Sequence, residues 1–128
     1  MSTELLYKNE SFKIIGACFE VYNQLGSGFL ESVYQQCLLE EFQTQGINCT
    51  AQQRIHITYK GKQIQQFFDA DFICFNKIIL EIKAVKNLLD EHRAQTINYL
   101  KATNLELALL VNFGQHPKLQ YERFLNQN

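Results

Sequence analysis

Asp69 to Lys86, D-A-D-F-I-C-F-N-K-I-I-L-E-I-K-A-V-K, is the stretch whose reading decides the fold. Most of it is as apolar as a buried strand, yet Asp71, Glu81 and Lys83 interrupt it. Charges in such a setting are costly unless they are paired or hold a metal. Two strands joined at Asn76-Lys77 bring Asp71 toward Glu81, with Lys83 two residues further along the glutamate's strand. Two carboxylates and an amine in an apolar sheet point to a divalent-cation site.

Register decides whether the carboxylates meet, because a slip of one residue turns every side chain to the other face. A two-residue loop pairs Phe75 with Ile78 and sets Asp71 opposite Ile82. A three-residue loop, Phe75 to Lys77, sets Asp71 opposite Glu81. The metal reading predicts the second. Mg²⁺ favours one or two carboxylates, a carbonyl and retained waters. Asp71, Glu81 and the backbone carbonyl of Ile82 make such a set. A bound cation polarises a phosphoryl oxygen and activates water, and Lys83 can orient that water or neutralise charge on phosphate. The plainer reading, a buried ion pair that anchors the sheet, fits the spacing equally well.

Working outward, the chain predicts helices over about Asn9–Leu25, with Asn9 or Ser11 as cap, and from Ser27 to Gly46. In the first, Phe12, Ile15, Phe19 and Tyr22 form one stripe and Ile14, Cys18, Val21 and Leu25 another, which implies a mostly buried helix. Ile55, Ile57 and Tyr59 alternate with polar residues as in a half-exposed strand. Lys60-Gly61 turns into a strand over Ile64–Phe75, followed by one over Ile78–Val85. A third helix, capped by Asp90, runs to about Thr103. Strands over Leu105–Phe113 and Leu119–Phe124 close the chain. The order α-α-β-β-β-α-β-β reads as α/β or α+β, with a mixed central sheet flanked by helices.

Two helices carry further polar candidates. Glu31 lies in the first turn of the second helix, where negative charge suits the dipole, and it borders the apolar stripe of Tyr34 and Leu38. His92, Gln95 and Tyr99 share a face of the third helix. Gln95 is placed to bond phosphate, water or Lys83, whereas His92 reads as a helix-start residue. Lys60, Lys62, Lys77, Lys86, Arg93 and Lys101 are scattered cations available for phosphate contacts.

Composition bounds these readings. At 128 residues the chain, 1–128, is expected to form one domain. A net charge of −1 supplies no global attraction to nucleic acid or an anionic membrane, so a polyanion would need a local basic patch. No apolar run approaches the roughly 20 residues of a membrane span, and the amino-terminal lead lacks signal-peptide character. A cytoplasmic protein is expected. Cys18, Cys37, Cys49 and Cys74 form no C-x-x-C pair and are expected to be reduced core thiols.

Gly28 to Tyr34, G-F-L-E-S-V-Y, resembles the G-x-x-E-x-x-Y signature of a family of small prokaryotic proteins. The segments A-D-F-I, L-E-I-K-A-V, H-R-A-Q-T-I-N-Y-L-K and L-L-V-N-F-G resemble it in the same order, from about Ile14 to Arg123. That family sits within the PD-(D/E)xK nuclease-like superfamily. The resemblance implies a restriction-endonuclease-like core, with Asp71, Glu81 and Lys83 in the D…ExK roles, Glu31 as the helix-borne acid and Gln95 as the glutamine after the lysine strand. Ala70 stands where proline is common, and Tyr22 where relatives often carry histidine. The implied activity is Mg²⁺- or Mn²⁺-dependent phosphodiester hydrolysis of nucleic acid, DNA more than RNA. The rival is a catalytically silent module that keeps the scaffold and binds nucleic acid or a protein. A small domain that cuts duplex gains from pairing two sites, and Leu119–Phe124 offers an edge for a homodimer.

Overall fold

The structure, a computed structural model, describes residues 5–127, so part of the amino-terminal lead lies outside the described residues. Phe75 and Asn76 both take left-handed backbone angles (φ 57° and 59°), and the Lys77 N–H donates to the Cys74 carbonyl at 3.1 Å. The chain thus turns over three residues, pairing Cys74 with Ile78, Ile73 with Ile79 and Phe72 with Leu80. This is the register the metal reading requires, because one further step sets Asp71 across from Glu81.

The two strands so joined are β2 (Lys62–Cys74) and β3 (Ile78–Lys83). With β1 (Cys49–Tyr59), β4 (Leu107–Asn112) and β5 (Gln120–Leu125) they form one sheet in the order β1-β2-β3-β4-β5. Among the described residues, only β3 and β4 are parallel. Parallel neighbours require a crossover, and helix α3 (Asp90–Thr103) supplies it. Every residue of β4, and all of β3 but Lys83, is buried, as expected for strands covered on both faces. Leu80, Ile82, Leu107, Leu109 and Val111 pack with α1 (Lys8–Leu25) and α2 (Glu31–Gln45). Ile79 and Ala108 pack on the other face with Leu100 of α3. The expected element order and mixed sheet are therefore found.

Several local expectations are corrected. Helix α1 buries Ser11, Ile14, Ala17, Cys18, Val21 and Tyr22, while Phe12 is 80% exposed. Only one side of the helix meets the sheet. Its other apolar stripe lines a surface groove with Tyr121 and Arg123. None of the three helices has a side-chain cap from the expected residues. Their caps are Tyr7, Leu30 and Leu89, and Ser11 lies inside α1, accepting from Arg123 Nη1 at 3.1 Å. At α3, the His92 ring does the capping, its Nδ1 accepting from the Leu89 N–H at 3.0 Å.

The cysteines divide. Cys18 is buried and Cys37 half-buried as free thiols, but Cys49 and Cys74 are joined in a disulfide. Those two residues pair directly across β1 and β2, a closeness that positions 25 apart in sequence do not reveal. Among the described residues, no helix is long and apolar enough to cross a membrane.

Candidate active site on the β2–β3 edge

Past Phe72 and Leu80 the ladder between β2 and β3 ends, and side-chain bonding takes over. Asp71 Oδ2 accepts from the Ile82 N–H at 2.8 Å. Successive residues of a strand aim their backbone groups to alternate sides. Lys83 sends its carbonyl toward β4, where the Phe113 N–H donates to it at 2.8 Å. The Ile82 carbonyl therefore opens on the same edge as Asp71. Alternation also sets Glu81 and Lys83 on the α3 face with Ile79.

Glu81 is the chemically unusual member. It is only 3% exposed, and its Oε1 is buried with no hydrogen-bond partner among the described residues. Burial pushes its pKa up to about 10. Hydrogen bonding with the Asp71 carboxyl and that group's charge add to the rise, while Lys83 opposes it. Two carboxyl groups at close quarters do not both ionise readily. A buried, orphaned oxygen of this kind calls for a partner.

Lys83 is half-buried and its Nζ donates to Gln95 Oε1 at 3.1 Å, so α3 holds the amine in place. Glu31 opens α2. It keeps much of its surface in solvent, yet burial of the carboxyl and then the Asp71 charge raise its pKa, with Lys83 opposing. Helix α2 covers the face opposite Glu81, so Glu31 approaches from the helix end and not from above the site. The arrangement brings Asp71, Glu81, Lys83 and Gln95 together and sets Glu31 within their field. His92 stays at the helix start.

Among the described residues, no three or more His, Cys, Asp or Glu side chains sit close enough together to hold an ion. What is assembled is a carboxyl pair and a carbonyl edge. That set still suits a hard cation that retains waters. The orphaned Glu81 oxygen and the excess of acid over the single Lys83 ammonium are the features that fit one.

Of the residues that support the site, Gln35 and Asn112 escape the sequence reading, whereas Tyr99, Tyr34 and Tyr22 are named there without the contacts they make. Gln35 Nε2 donates to the Asp71 carbonyl at 3.2 Å; it lies one helical turn after Glu31, a spacing that offered the signal. Tyr99 stacks on Phe68 at 3.6 Å, and burial followed by the charges of Glu81, Asp71 and Asp69 raises its pKa to about 12. Asn112 is fully buried and clamps Val85, its Oδ1 accepting from the Val85 N–H at 3.0 Å and its Nδ2 donating to the Val85 carbonyl at 2.8 Å. A lone amide in an all-apolar strand was its signal. Tyr34 is buried, donates to the Gly26 carbonyl at 2.5 Å and stacks on Phe113 at 4.6 Å. With Gly28 at φ 110°, a conformation suited to glycine, Tyr34 fixes the loop that delivers Glu31. Tyr22 likewise pins a loop, donating to the Gln115 carbonyl at 2.6 Å.

Of the scattered cations, Arg93 is engaged by Glu122 and Asp90, and Lys77 by Glu10. These pairs leave Lys60, Lys62, Lys86 and Lys101 as the less encumbered ones.

Comparison with known proteins bears on the family and the fold. A family model for the PD-(D/E)XK nuclease superfamily matches residues 8–124. Among solved structures, the chain is similar to the crystal structure of SSO0001, with a TM-score of 0.61 and 19% identity over 94% of this chain. It spans 60% of that chain's length, and at this identity the likeness is one of fold. No curated protein matches the chain.

Proposed function

Because the chain belongs to the PD-(D/E)XK nuclease superfamily, we propose that it hydrolyses phosphodiester bonds of nucleic acid, DNA in preference to RNA, with Mg²⁺ or Mn²⁺. Within that superfamily we read it as one of the G-x-x-E-x-x-Y proteins, on the strength of Gly28, Glu31 and Tyr34. The observation that carries the activity is the buried, unpartnered Glu81 Oε1 beside the Asp71 carboxyl.

Asp71, Glu81 and the Ile82 carbonyl would hold the cation, with Glu31 nearby to balance charge directly or through water. The bound metal supplies Lewis acidity, polarising a phosphoryl oxygen and lowering the pKa of water. The Ile82 N–H fixes one Asp71 oxygen and so aims the other. Glu81 must give up its proton for the site to load, which the high pKa of the empty pair opposes. Lys83 lies beside the two acids and is placed to bond the attacking water or the phosphate. Gln95 keeps that ammonium from swinging toward solvent. A homodimer joined along the open edge of β5 would present two such sites to a duplex.

Incubation of the purified protein with duplex DNA and Mn²⁺ tests the reading. Cleavage by the wild type that disappears in both Glu81→Ala and Lys83→Ala supports it, and equal cleavage by the variants refutes it. A silent binding module is the second reading, favoured by the lack of three clustered ligands among the described residues. Nucleic-acid binding with no cleavage under any divalent ion would select it.

A further inference from the structure

The net charge of the chain hides a segregation. From Cys49 to Phe68 there are three cations, Arg54, Lys60 and Lys62, and no acidic residue. With the whole chain at −1, the remainder carries −4. This cationic segment is most of the β1–β2 hairpin, and it projects. Beyond the pairing with β3, which ends at Phe72, residues 58–67 are exposed without exception. Tyr59 is 64% and Phe67 45% exposed. A two-stranded ribbon alone in water is marginal, so ten consecutive exposed residues describe a surface that lacks its partner.

The ribbon is braced and its chemistry is specific. Arg54 lies 3.8 Å over the Phe67 ring and 3.3 Å from Asp69 Oδ1, and Lys60 sits 5.5 Å over Tyr59. Gln52, Gln53, Gln63, Gln65 and Gln66 add exposed amides, which carry both donor and acceptor atoms. Cations suit the phosphates, and glutamines the base edges, that a groove presents. The same strand carries Asp71, and at ~3.3 Å per residue the tip at Gly61 stands roughly 30 Å from it, close to one turn of B-form DNA. A two-stranded ribbon enters a major groove about 12 Å wide, whereas the deep, narrow major groove of duplex RNA excludes side chains.

We propose that residues 52–67 form a DNA-docking arm that lies in the major groove of B-form duplex and feeds a strand to the Asp71–Glu81 site. This deepens the nuclease reading by naming duplex DNA as the substrate class.

Fluorescence anisotropy in EDTA tests the arm without cleavage, using a labelled DNA duplex, its single strand and the matching RNA duplex. The wild type should bind the DNA duplex at least tenfold tighter than either other probe. Lys60→Ala/Lys62→Ala should weaken duplex binding tenfold or more and reduce the slope of log K against log salt by about 2. Phe67→Ala should weaken binding with the slope unchanged. The double variant's melting temperature, and its shift with Mn²⁺, should match the wild type, which keeps folding and site intact. Undiminished duplex binding by the double variant, or equal binding of single strand or duplex RNA, overturns the arm even if DNA is cut. Arm-dependent duplex binding with no cleavage under any metal upholds the arm and refutes the nuclease reading.

Discussion

Lys83 Nζ donates to Gln95 Oε1 at 3.1 Å, a bond that ties the end of β3 to the middle of α3. The amine next to the two acids therefore does not choose its own rotamer. An uncharged amide also leaves the ammonium fully available to an anion, which a carboxylate in its place would not.

Gln95→Ala should accordingly lower the cleavage rate by roughly 10- to 100-fold, the range seen when a supporting hydrogen bond to a site residue is removed. Loss of Lys83 itself should cost more, about 10²- to 10³-fold. Single-turnover assays would separate the two, since Gln95→Ala should act on the chemical step with substrate affinity near wild type. Equal losses would mean that Gln95 touches the reacting groups itself.

The raised pKa of Glu81 sets a pH dependence in the metal-free protein. Its ordinary value is 4.5, and burial with Asp71 alongside lifts it to about 10 in the fold. Between those values the folded protein holds a proton that the unfolded chain has released. The contribution of this group is then fully present below about pH 4.5 and is lost as pH rises toward 10. Urea titrations in EDTA at several pH values should show that decline for the wild type and a flatter profile for Glu81→Gln, which stays neutral throughout.

Metal should reverse this. Mn²⁺ bound by the native fold and not by the unfolded chain stabilises by mass action, about 2.7 kcal/mol at a hundredfold excess over Kd. Differential scanning calorimetry should register a higher Tm for the wild type and no gain for Asp71→Asn. The gain should grow with pH, because protons compete for the Glu81 oxygens.

Gly114 follows the buried β4 strand, and a Cβ added there would drive into the backbone of Val85. That contact cannot relax as a flexible side chain would, and Asn112 already clamps Val85 from both its N–H and its carbonyl. Gly114→Ala should destabilise by about 1–3 kcal/mol, read as a lower urea midpoint with an unchanged m value. Because Val85 lies two residues past Lys83, activity at permissive temperature should fall as well.

Chain-local information determined a great deal. Apolar periods and continuous apolar runs, read with the turns and caps between them, located the helices and strands in order, and Gly46 ended α2 where a left-handed residue does so. The acids and amine of the Asp69–Lys86 stretch marked the candidate site, because charge inside an apolar run has few inexpensive explanations. Element ends were less legible: β3 stops at Lys83 and not at Val85, since the Asn112 side chain takes the Val85 backbone away from the ladder.

Only the tertiary structure decided the rest. The hairpin register rested on Phe75 and Asn76 accepting positive φ, which composition does not announce. Cys49 and Cys74 met because two strands paired, and Phe12 stayed exposed because a helix has two sides and the sheet covers one. Periodicity is a property of neighbours along the chain, whereas pairing, burial and the meeting of Asp71 with Glu81 depend on what the fold sets across from each residue.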